Sequence, residues 1–142
     1  MNYNTATLPN GIRIIHAVND SPISYCGIMI NSGTRDEYDD ESGLAHFTEH
    51  MLYKGTRKRR AHHIINRMED VGGELNAFTS KEEIGLYSVF FEEYLERSIE
   101  LIADMIFNSQ FSEEQIERER EVILDEINSY LDIPSALIYD DF

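Results

Sequence analysis

The chain has 142 residues, a formal net charge of −15, 42% hydrophobic and 27% charged residues, and a single cysteine. That length supports one domain with a real core, and the acidic balance disfavours nucleic acid and anionic membranes as partners, since both need clustered positive charge. One cysteine excludes an internal disulfide and a thiolate metal cluster, and no apolar run approaches the roughly 18 residues of a membrane span.

The N-terminal stretch has no basic leader and no small-residue cleavage site, so a cytoplasmic location is the expectation. Residues 5–8 and 11–18 read as strands around the turn Pro9-Asn10-Gly11. A third strand over 23–33 reads as largely buried, with Cys26 as a small core residue. A polar loop leads to a helix from Gly43 to Lys54. The basic cluster Lys54, Arg57, Lys58, Arg59 and Arg60 follows and reads as a solvated loop that complements the helix dipole. A second helix over 61–71 places Ile64, Ile65, Met68 and Val71 on one side and ends at Gly72-Gly73. Strands follow over 74–79 and 84–91, then a long helix over 92–108 with Leu95, Ile99, Ile102 and Ile106 inward. Ser112 and Gln115 suit the cap of a last helix from 113 onward. The order predicts an α+β domain over 1–142, with a mostly antiparallel sheet packed against helices. The segment 129–142 keeps an apolar/polar pattern without linker composition, so the chain reads as incomplete at its C-terminus.

The stretch His46-Phe47-Thr48-Glu49-His50 carries the chemistry. At 100° per residue, Leu44, Phe47, Thr48 and Met51 share one side of the helix, and His46, Glu49 and His50 share the other. Histidines four apart can reach one ion, and a glutamate between them sits beside it as a base. The competing reading is a solvated face with two incidental histidines; by chance His-x-x-Glu-His is expected about 0.02 times in such a chain. A catalytic zinc needs a third protein ligand.

The last helix offers candidates. Its inward stripe is Ile116, Ile123, Ile127 and Tyr130, and Glu114, Glu121 and Asp125 point away from it. Glu119 and Glu126, seven apart, stack at the edge of that stripe. Two such carboxylates call for a positive charge beside them, either an ion held by His46 and His50 or a pairing with Arg120 or Lys54. His16, His62 and His63 read as structural or exposed.

His46-x-x-Glu49-His50 followed by Glu126 resembles the inverted zinc motif of the M16 peptidases, the family of pitrilysin, insulin-degrading enzyme and the mitochondrial processing peptidase. Glu119-Arg120 to Glu126, Gly72 to Glu83 ("GGELNAFTSKEE"), Leu8 to Ile14 ("LPNGIRI") and Gly33 to Glu37 ("GTRDE") are similar to the family's other motifs, in order and over essentially the whole chain. The sequence departs from the family pattern at Ile84, where a threonine is common. The resemblance implies a LuxS- or processing-peptidase-like domain with one Zn2+ per chain, held by His46, His50 and Glu126. It also implies Glu49 as general base, Glu119 as an outer acid that orients a ligand, and Asn76 and Ala77 on an edge strand that binds substrate. The implied function is a zinc metalloendopeptidase acting on extended peptides or unfolded polypeptides; the alternative is a non-catalytic structural or peptide-binding subunit. Family enzymes pair this half with a second, related half. A partner half or subunit, or a homodimer, is therefore expected, and the isolated chain is expected to be inactive or weakly active.

Overall fold

A computed structural model describes residues 3–131. The first two strands, β1 (Tyr3–Thr7) and β2 (Arg13–Ala17), form an antiparallel hairpin paired from Tyr3–Ala17 to Thr7–Arg13. Gly11 adopts a φ of +90°, which glycine reaches without steric cost, and its N–H donates to the Leu8 carbonyl at 2.9 Å. Among the described residues the hairpin does not join the main sheet, so the expected single sheet is two sheets.

The main sheet holds β3 (Ile23–Ile30), β4 (Glu74–Thr79) and β5 (Ile84–Phe91) in the order β3–β5–β4, all antiparallel. Alternation sets its two faces. Leu75, Ala77, Leu86, Phe90, Cys26 and Ile28 turn inward to the core. Tyr25, Met29, Phe78 and Phe91 lie exposed on the other face. β3 is thus shorter than expected and only half-buried, because helices cover one side of the sheet and β3 is an edge strand.

Among the described residues four α-helices follow in chain order: α1 (Leu44–Leu52), α2 (Ala61–Glu69), α3 (Leu95–Asn108) and α4 (Glu113–Leu131). Leu52, Ile64, Met68, Leu101, Ile102 and Met105 pack on the inner face of the sheet. Ile65 is exposed, so the buried side of α2 is narrower than its apolar pattern. The inward face of α3 also differs from expectation. Leu95 and Ile99 are exposed, whereas Ser98, Leu101, Ile102, Asp104 and Met105 are buried. The reason is polar: the Asp104 carboxylate accepts hydrogen bonds from Thr56 Oγ1 at 2.7 Å and from Arg59 Nη1 at 2.5 Å, so a charged side chain can occupy the core side.

Arg59 also pairs with Glu100 at 2.6 Å. The basic cluster is therefore solvated only at Arg57, Lys58 and Arg60. On α4, Ile123 is buried and Ile116 half-buried, but Ile127 is exposed. The Tyr130 side chain and the patterned segment from 132 onward lie outside the described residues. No described helix is long and apolar enough to cross a membrane.

Candidate metal centre

α1 runs between the edge strand β4 and helix α4. Met51 and Leu52 are buried on its core side, which leaves His46, Glu49 and His50 half-buried between its two neighbours. Leu44, assigned to the apolar side from the helical wheel, is exposed in the first turn.

His50 is the crossing point of the site. Its Nδ1 lies 2.8 Å from Glu119 Oε1, and its Nε2 lies 3.2 Å from His46 Nε2 and 3.5 Å from Glu126 Oε2. His46 Nε2 is 4.0 Å from the same Glu126 oxygen. Glu119 is buried, and its Oε2 receives Lys54 Nζ at 2.6 Å. Burial alone would push the Glu119 carboxyl up; the hydrogen bonds from Lys54 and His50 outweigh it and hold the group below the usual carboxylate range. An ionised Glu119 accepts and cannot donate, so His50 Nδ1 carries the proton and the Nε2 lone pair faces His46 and Glu126.

Three electron-pair donors thus converge: His46 Nε2, His50 Nε2 and Glu126 Oε2, with ligand atoms within 4.8 Å of one another. Zinc bonds of about 2.0–2.1 Å in a tetrahedral arrangement require donors about 3.3 Å apart. The separations of 3.2, 3.5 and 4.0 Å bracket that value. Two nitrogens and one carboxylate oxygen suit zinc chemically, so the residues fit the group that the sequence resemblance implies. Glu126 is exposed, which sets it at the rim of the group, whereas Glu119 is at its buried end.

Glu49 faces β4. Its Oε2 accepts the Thr79 hydroxyl at 2.5 Å. Tyr53, one turn further on, is pushed up to about 12 by burial and then by the charges of Glu49 and Tyr87, so it remains a neutral phenol at pH 7. Asn76 and Ala77 stand opposite Tyr87 and Leu86 in the β4–β5 ladder, three and two residues before Thr79. β4 is an edge strand, so one side of its backbone is not used by the described sheet. His16, His62 and His63 lie elsewhere on the surface, the last two with ring centroids 3.9 Å apart and planes tilted by 52°.

The sequence offered Lys54 and an ion held by the histidines as alternative partners of the two carboxylates; in the structure Glu119 takes Lys54 on one oxygen and His50 on the other. Thr79 was missed as a member of this constellation, although period-two alternation puts it on the inward side with Leu75 and Ala77, where a hydroxyl needs a partner.

The fold thus sets a helix bearing both histidines beside an edge strand and against α4. A family model described as insulinase, peptidase family M16, matches residues 13–141. This chain belongs to that family. It is 36% identical over 135 residues to an uncharacterised zinc protease, YmxG, of Bacillus subtilis, covering 94% of this chain and 33% of that protein. It is 40% identical over 122 residues to a probable mitochondrial-processing peptidase subunit beta of Arabidopsis thaliana, covering 85% of this chain and 23% of that one. A crystal structure of a protease from Helicobacter pylori superposes with a TM-score of 0.93 at 25% identity, over 97% of this chain and 34% of that chain. The matched part of the chain spans 23–34% of the length of these three proteins.

Proposed function

We propose that this chain is the metal-bearing N-terminal portion of a zinc-dependent endopeptidase that cuts extended peptides or unfolded polypeptides. The observation that carries the reading is the convergence of donor atoms of His46 and His50 on α1 and Glu126 on α4 within 4.8 Å, beside a Glu49 bonded to the edge strand. His46, His50 and Glu126 would hold one Zn2+, which when bound acidifies a water and polarises a carbonyl. Glu119 keeps the His50 Nε2 lone pair turned to that position, and Lys54 keeps Glu119 ionised. Glu49 takes a proton from the attacking water and returns it to the departing amide nitrogen. Thr79 holds the Glu49 carboxylate in place for both transfers. A substrate segment adds to β4 by backbone hydrogen bonds, with Asn76 and Ala77 on the strand it lies against.

The matched part of this chain covers 33% and 23% of two of its relatives, and one is named as a subunit. A second M16-type half, in the same polypeptide, a partner subunit or a second copy, is proposed to close over β4. One assay tests this reading. Cleavage of a quenched extended peptide is measured for the full-length protein, for its Glu49→Gln variant and for residues 1–142 alone. The expected result is turnover by the full-length protein, a loss of at least about a hundredfold in Glu49→Gln with zinc content unchanged, and little turnover by the short chain. Glu49→Gln cleaving like the wild type would overturn the assignment of the base. Peptide binding without cleavage by the full-length protein would favour the non-catalytic alternative.

A further inference from the structure

The first turn of α1 lacks a capping side chain of its own, because its N-cap is Gly43 at a φ of +92°. Glu37 supplies the cap from outside the helix. Its Oε2 accepts the Gly43 N–H at 2.9 Å and its Oε1 accepts the Ala45 N–H at 2.7 Å. One carboxylate thus grips two amides at the positive end of the helix dipole.

The segment that carries Glu37 is itself pinned to the sheet. The 3-10 turn Thr34–Asp36 lies against the β4–β5 turn, with Thr34 N–H donating to the Ser80 carbonyl at 3.1 Å and Arg35 N–H to the Lys81 carbonyl at 2.9 Å. Asp36 Oδ2 accepts the Gly33 N–H at 2.9 Å. A Cβ on Gly33 would lie 2.5 Å from the Ser80 carbonyl oxygen and 2.6 Å from Glu82 N, so this approach admits glycine alone. The same turn directly follows Thr79, which bonds Glu49. The N-terminus of α1 and its middle are therefore tied to one corner of the sheet.

We propose that Glu37 is a positioning residue for the metal centre. By gripping Gly43 and Ala45 it fixes the axial rotation and height of α1, and so where His46 and His50 meet Glu126. This rests on the metal reading above; Glu37 itself touches neither metal nor substrate. The test is zinc affinity in the full-length protein, by competition with a chromophoric chelator, at a temperature where circular dichroism shows each variant fully folded. Glu37→Ala should bind zinc about tenfold to a hundredfold more weakly, as loss of a ligand-orienting contact does. Glu37→Gln, which keeps one acceptor oxygen and the side-chain size, should fall between it and the wild type. Peptide kcat should fall in the same order with KM unchanged. Variants that bind zinc as the wild type does, with only a lowered Tm, would overturn the proposal and leave Glu37 a helix cap. A wild type that binds no zinc would overturn the metal reading itself, a separate and recognisable failure.

Discussion

The hydroxyl of Thr79 is the only described side-chain hydrogen bond between the edge strand and Glu49, and it is short at 2.5 Å. A hydroxyl that donates to a carboxylate oxygen fixes the direction of the acceptor. On the proposed mechanism, Thr79→Val removes that bond while keeping the shape of the side chain. The expected outcome is a fall of about tenfold to a hundredfold in kcat of the full-length protein, the worth of one hydrogen bond to a charged group. Zinc content should not change; a kcat equal to wild type would show that Glu49 needs no such support. The two histidines and Glu49 were legible in the sequence because a helix of fixed period places i, i+3 and i+4 on one side. Helix geometry made Glu126 legible only as one of two stacked carboxylates, and the family resemblance is what distinguished it from Glu119. In the structure the two differ in depth, since Glu119 is buried under Lys54 and Glu126 stays at the rim. Helix periodicity gives direction about an axis but not the distance to a neighbouring helix.

At the scale of elements, α3 is held to the loop after α1 by a buried polar knot. Asp104 accepts from Thr56 and Arg59, and Arg59 reaches on to Glu100. Burial pushes the Asp104 carboxyl up, but the Thr56 hydroxyl and the Arg59 guanidinium together hold it below its usual value. A carboxyl with a depressed folded-state value adds stability that is fully present above its unfolded value, about 3.9, and is lost as the pH falls through the folded value. Asp104→Asn should therefore cost on the order of 2 kcal/mol at pH 7, and its deficit relative to wild type should shrink below about pH 4. Urea unfolding at pH 7 and pH 3 measures both; a deficit that does not change with pH would contradict this account. The knot also explains why the α3 face was misread. An apolar stripe through Leu95 and Ile99 ignores a buried Asp104, and only the distant Thr56 and Arg59 make that aspartate acceptable. By contrast β4 and β5 were legible to the residue. Their alternation and the "SKEE" turn fix the register from Glu74–Val89 to Thr79–Ile84. The hairpin β1–β2 was legible as a hairpin, yet its separation from the main sheet was not, because pairing between distant strands leaves no local mark.

At the scale of the whole molecule, the fold places three elements around one site: α1 carries the histidines, α4 brings Glu119 and Glu126, and β4 offers its edge. The account stands or falls on whether α1 and α4 share an ion. The direct measurement is zinc per chain after equilibration with buffered free zinc and removal of unbound metal, for the wild type and for Glu126→Ala. Glu126 is exposed at the rim, so its truncation should leave the fold intact. The account predicts one zinc per wild-type chain and a large loss in Glu126→Ala. Zinc content unchanged by Glu126→Ala, or no zinc in the folded wild type, would contradict it.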